Sequence, residues 1–85
     1  MGAIGARLES GACWAQAALV YRRVVEQEPL AEDTYRRLIR CLLQLGQRAE
    51  AYEVYRRCRQ QLSVVLGIRP AAETETLVAT LREGA

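Results

Sequence analysis

The chain has 85 residues, 51% of them hydrophobic, and a net charge of +2 from twelve arginines against ten carboxylates. Such a length and apolar fraction fit one small domain with a core and exclude a disordered chain, and no run approaches the ~20 apolar residues of a membrane span. Histidine and lysine are absent, the glycines are isolated, and Cys13, Cys41 and Cys58 have no C-x-x-C spacing, so no catalytic, cofactor-binding or metal-binding residue is expected.

Arg7 and Glu9 interrupt the apolar start before a secretory h-region can form, which points to a cytoplasmic chain with three buried, reduced thiols. The first clear stripe is Ala17, Tyr21 and Val24, ended near Pro29. Tyr35, Leu38, Ile39 and Leu42 follow at i, i+3, i+4, i+7, and Gly46 can close that helix in the left-handed conformation. Ala51, Tyr55, Cys58, Leu62 and Val65 make the next stripe, stopped by Gly67 and Pro70. The short "LGQR" link makes these two helices antiparallel neighbours. A last helix carries Leu77, Val78 and Leu81.

Charge is unevenly spread along these elements. Residues 35–59 hold seven arginines against two glutamates, whereas residues 1–34 and 71–85 each carry a net −2. Glu32, Asp33 and Glu53 precede Arg36, Arg37 and Arg57 by four residues, the favourable order for ion pairs along a solvated helix face, and Arg22 has Glu26 in the reverse order. Arg40, Arg48, Arg56 and Arg59 lack such a neighbour.

"YRR" occurs at 21–23, 35–37 and 55–57, and the first and last copies are 34 residues apart. A shift of 34 sets AALVYRRVVEQE on AYEVYRRCRQQL with six identities in twelve positions. That period resembles the tetratricopeptide repeat. Counting Glu32 as its first position, Tyr35, Leu38, Leu42, Ala51, Tyr55 and Cys58 fill the scaffold places of one copy. Gly5, Leu8, Ala17, Tyr21, Val24 and Pro29 fill places of the copy before it. Ile39 is large where the repeat is usually small. Ser63 replaces the closing proline, so the helix from residue 48 is expected to run long, to about residue 66. The resemblance implies an all-α, right-handed stack of helical hairpins with about five helices. Repeat 1 spans ~1–29, repeat 2 ~31–66 and a capping helix ~71–83, in one domain over 1–85. It also implies a groove lined by Asp33, Arg36, Arg40 and Leu43, with Gly2, Ala6 and Glu9 in the first copy. Arginines there suit an acidic partner, because guanidinium pairs with carboxylate in bidentate fashion.

A closer resemblance spans residues 30–82 and extends to Pro29. Pro29-Leu30-Ala31-Glu32, Leu45-Gly46 with Glu50-Ala51, Tyr55 to Cys58, and above all Leu66-Gly67-Ile68-Arg69-Pro70 with Glu73-Thr74 resemble the bacterial transcriptional activator domain found in antibiotic regulatory proteins. Ala71 stands where that family often has a helix-capping serine, a change that weakens the helix start by up to ~1 kcal/mol. The resemblance implies a regulatory, protein-contacting and self-associating module beside a separate winged-helix DNA-binding domain. Residues 1–34 hold no strand pair or recognition helix for such a domain, so an excised domain is expected, its exposed apolar end covered by a second copy or a neighbour. The expected partner is a protein, a second copy or the transcription machinery. DNA is met only indirectly, and no membrane or small-molecule substrate is involved. The alternatives are a general adaptor for an acidic peptide and direct nucleic-acid binding through residues 35–59.

Overall fold

Four helices follow one another in the computed structural model, which describes residues 13–83, with side chains to residue 81. They are α1 (Trp14–Gln27), α2 (Glu32–Gln44), α3 (Arg48–Gln61) and α4 (Ala72–Glu83), and a π-helical turn, Leu62–Leu66, prolongs α3. No strand occurs among the described residues. α1 packs on α2, α2 pairs with α3 as a hairpin, and α4 lies against both α2 and α3. This is the tetratricopeptide-like helical stack. The helix expected near the start lies outside the described residues, with Gly2, Gly5, Ala6, Leu8 and Glu9.

The helix ends follow from local chemistry. α1 stops two residues before Pro29, its last turn closed by Glu28 N–H donating to the Val24 carbonyl at 2.7 Å. Proline cannot donate to a helix and clashes with the turn before it. Glu32 and Asp33 place negative charge in the first turn of α2, where the helix dipole favours it. α2 ends in a Schellman closure. Gly46 adopts φ +75°, its N–H reaches Leu43 O at 3.1 Å, and Gln47 N–H reaches Leu42 O at 2.8 Å. A residue with a Cβ is disfavoured at that φ, which is why glycine occupies the turn.

The long helix expected from residue 48 does reach Leu66, but its last turn is π-helical. Gly67 at φ +65° then closes it, with Gly67 N–H on Ser63 O at 3.0 Å and Ile68 N–H on Leu62 O at 3.2 Å. The wider turn breaks the apolar register. Leu62 is buried as its stripe predicts, but Val65 is exposed, because a π turn advances each residue by a smaller angle than an α turn. The stripe of α1 also needs one correction. Val25, not Val24, is its buried valine, and Val24 is half-buried.

The core is one cluster running through all four helices. α1 gives Ala17, Ala18, Tyr21 and Val25; α2 gives Tyr35, Leu38, Ile39, Cys41 and Leu42. α3 gives Ala51, Val54, Tyr55 and Cys58; α4 gives only Val78 and Leu81, with Leu77 packed beside them. Burial of each large aliphatic side chain contributes about 1.5–3 kcal/mol. The three "YRR" tyrosines are all buried, so their recurrence is architectural. Ile39 is fully buried despite its size. Cys41 and Cys58 are buried as expected, but Cys13, at the N-terminal edge of α1, is exposed.

Candidate functional site

α4 offers the core few apolar side chains, and polar groups hold its N-terminus. Glu32, in the first turn of α2, extends its carboxylate across to α4. One oxygen accepts both the Ala71 N–H and the Thr74 hydroxyl, each at 2.6 Å. Ala71 has no side chain able to cap α4, and Glu32 satisfies its amide from another helix. Glu32 thus anchors the N-cap residue of α4 from another helix, although it does not replace the bond a capping serine would make to the first-turn amides.

Arg36, one turn along α2, completes the cluster. Its Nη1 donates to Thr74 Oγ1 at 3.1 Å and lies 3.6 Å from Glu32, and Nη2 lies 3.6 Å from the exposed Glu73 carboxylate. The Arg36 side chain is only 16% exposed. The Glu32–Arg36 pair expected on a solvated face therefore forms, but inside a helix–helix junction. Nearby, the Tyr55 hydroxyl donates to Glu75 Oε1 at 2.7 Å. Two sequence elements some forty residues apart, the "PLAE" and "RPAAET" runs, meet here.

Cys58 lies beneath this junction, and its thiol is pushed up to about 12. Loss of solvation dominates, the Glu32 and Glu75 carboxylates add to it, and Arg36 opposes them. Tyr35 is raised for the same first reason, with Cys58 adding and Arg57 opposing. A thiol so displaced stays protonated at neutral pH and is a poor nucleophile.

Other arginines also join helices. Arg22 of α1 pairs with Glu50 of α3 rather than taking Glu26 along its own helix. Arg37 Nη1 donates to the Tyr21 hydroxyl at 3.4 Å, and Arg48 Nη2 to the Leu81 carbonyl near the end of α4 at 3.4 Å. Arg48 and Arg56, which lack an acid four residues before them, thus find partners elsewhere. For Arg56 it is Glu53, three residues away at 3.3 Å, the pair formed where Glu53 and Arg57 were expected.

The four groove residues have different surroundings. Asp33 is exposed and borders a depression of about 430 Å³ between α1 and α2, lined also by Tyr21, Val24, Gln27, Glu28, Thr34 and Arg37. Arg36 turns to α4. Arg40 is exposed, and Leu43 is half-buried against the core. Residue counting missed Thr74, Glu73 and Glu75 as partners of α2 and α3. The only sign of them was the "PAAET" run, whose use depends on which helix it meets.

At the other end of α3, Val64, Val65, Leu66 and Ile68 are the exposed aliphatics. Arg56, Arg59, Gln60, Ser63 and Val64 share one surface depression, and Tyr55, Arg59, Arg69, Pro70 and Glu75 share another. No group of three or more His, Cys, Asp or Glu side chains is arranged to hold a metal ion among the described residues. None of their helices is long and apolar enough to cross a membrane.

Comparison with curated proteins and with solved structures found no match. The family model described as the bacterial transcriptional activator domain matches residues 2–82, nearly the whole chain. That family is regulatory and not a family of enzymes. The match takes in the helical stack and the closing "LGIRP" run, and the chain belongs to the bacterial transcriptional activator domain family.

Proposed function

We propose that this chain is the protein-contacting, self-associating part of a cytoplasmic bacterial transcription regulator and does not itself read bases. The family match supports its tie to transcription. The observation that carries the rest is how the arginines are used. Arg36, Arg37 and Arg48 join one helix to another, so three of the seven arginines of residues 35–59 are engaged within the fold, and Arg22 outside that segment pairs with Glu50. A recognition helix instead concentrates base and phosphate contacts on one exposed face. Asp33 and Arg40, exposed on α2, are the groove positions open to a protein partner, with Leu43 beside them and Arg36 behind.

The test is titration of the chain onto a labelled DNA duplex across a salt series. Binding that never forms, or vanishes by roughly physiological salt, supports the reading. Tight binding that survives at that salt and weakens on Arg40→Ala and Arg59→Ala would overturn it in favour of direct nucleic-acid binding.

A further inference from the structure

We propose that the C-terminal end of α3, with the turn that follows it, is a docking surface for an acidic protein segment carrying aliphatic side chains. This surface is separate from the α2 groove. The proposal rests on the chain being an interaction module, and it names a second face and the chemistry of what that face takes.

Three observations converge. First, the π turn swings aliphatic side chains off the core: Val64 is 76% exposed, and Val65, Leu66 and Ile68 are about half exposed. Clustered exposed apolar residues mark a contact surface where scattered ones do not. Second, the two depressions at this end hold Arg56, Arg59 and Arg69 against one carboxylate, Glu75, with Arg56 already paired to Glu53, and residues 56–69 themselves contain no acid. These arginines are exposed, and Arg59 and Arg69 have no ion-pair partner among the described residues. Third, basic and apolar groups share the same ground. Arg56, Arg59 and Val64 line one depression, and Arg59 and Arg69 line the next.

Charge complementarity selects the occupant. Carboxylates pair with guanidinium forks in bidentate geometry, and aliphatic side chains between them would cover Val64 to Ile68. A second copy meeting this face symmetrically would set Arg59 and Arg69 against the same two arginines, because a two-fold contact places the same patch on both sides. A phosphate backbone would answer the charge and leave the aliphatics in water. Membrane-surface binding uses a helix with a continuous apolar face, whereas these side chains lie on a single turn closed by Gly67.

The experiment uses fluorescence anisotropy with the whole chain and a labelled peptide of about 15 residues in which Glu and Asp alternate with Leu and Ile. A version with its aliphatics changed to serine is run beside it. The expected result is saturable binding that weakens about tenfold with Arg59→Glu, with the Val64→Ser/Val65→Ser pair, or with the serine peptide, and that Arg40→Glu leaves unchanged. All these positions are exposed, and circular dichroism checks that each variant is folded. No binding, or binding insensitive to Arg59 and Val64, would overturn the proposal. So would loss through Arg40→Glu alone, which would move the contact to the α2 groove and leave the interaction-module reading standing. Tighter binding to a DNA duplex or to anionic phosphatidylserine vesicles than to the peptide overturns it as well. The duplex outcome alone would also count against the interaction-module reading.

Discussion

The α2–α4 junction and the outer end of α3 both carry arginine, with opposite fates. At the junction, Arg36 is half-buried and has Glu32 on one side and Thr74 and Glu73 on the other. At the end of α3, Arg59 and Arg69 face solvent beside Val64, Val65 and Leu66. The difference comes from which helix arrives. The start of α4 lies over the first half of α2, Thr74 supplying a hydroxyl and Ala71 an amide to Glu32, whereas of the π turn only Leu62 is covered and Val64, Val65 and Leu66 stay exposed. A buried charge is tolerated only with such partners, so the junction is specific, and the end of α3 is free to meet something else.

Substitutions can break this contrast. The apolar frame beneath both regions is the reference: Leu38→Ala should cost about 3–4 kcal/mol by removing a fully buried side chain, measured by denaturant unfolding. Glu32→Ala should cost about 2–3 kcal/mol, because it strips the acceptor from Ala71 N–H and Thr74 and leaves Arg36 without its nearest acid on α2. A loss under about 0.5 kcal/mol there would mean that α4 is held by its apolar contacts and its other polar ties, not by Glu32.

Alkaline pH probes the junction from below. The Cys58 thiol is raised from 9.0 to about 12 in the folded chain, so the native state holds a proton that the unfolded state releases. Its contribution is fully present below about pH 9 and is lost progressively as pH rises through about 12, a loss on the order of 1 kcal/mol by roughly pH 10. Cys58→Ala should flatten the fall in stability between about pH 9 and pH 11, and an unchanged slope would assign that fall to other groups. Tyr55→Phe should cost about 1 kcal/mol through the lost bond to Glu75, seen as a lower melting temperature. Smallest of all, Arg59→Ala and Val64→Ser should each shift stability by no more than about 0.5 kcal/mol, which sharpens the contrast between a region that holds the fold and one that is only displayed.

The sequence by itself determined the local structure and the core. Tyr35, Leu38, Ile39 and Leu42 share a helix face because 3.6 residues make a turn, and Tyr21 and Tyr55 are buried as the 34-residue spacing requires. Pro29 and Gly46 set helix ends through backbone restrictions that act within a few residues. Only the tertiary structure decided the rest. Glu32 and Arg36 read as a surface pair until α4 lies beside them, and Arg22 reaches Glu50 instead of Glu26 because α3 passes close to α1. Val65 keeps its place in the apolar count but loses its place in the core, because the last turn of its helix is wider than the spacing assumes. The two ion pairs depend on the approach of residues far apart in the chain, and Val65 on a change of helix type, neither of which periodicity along one α-helix encodes.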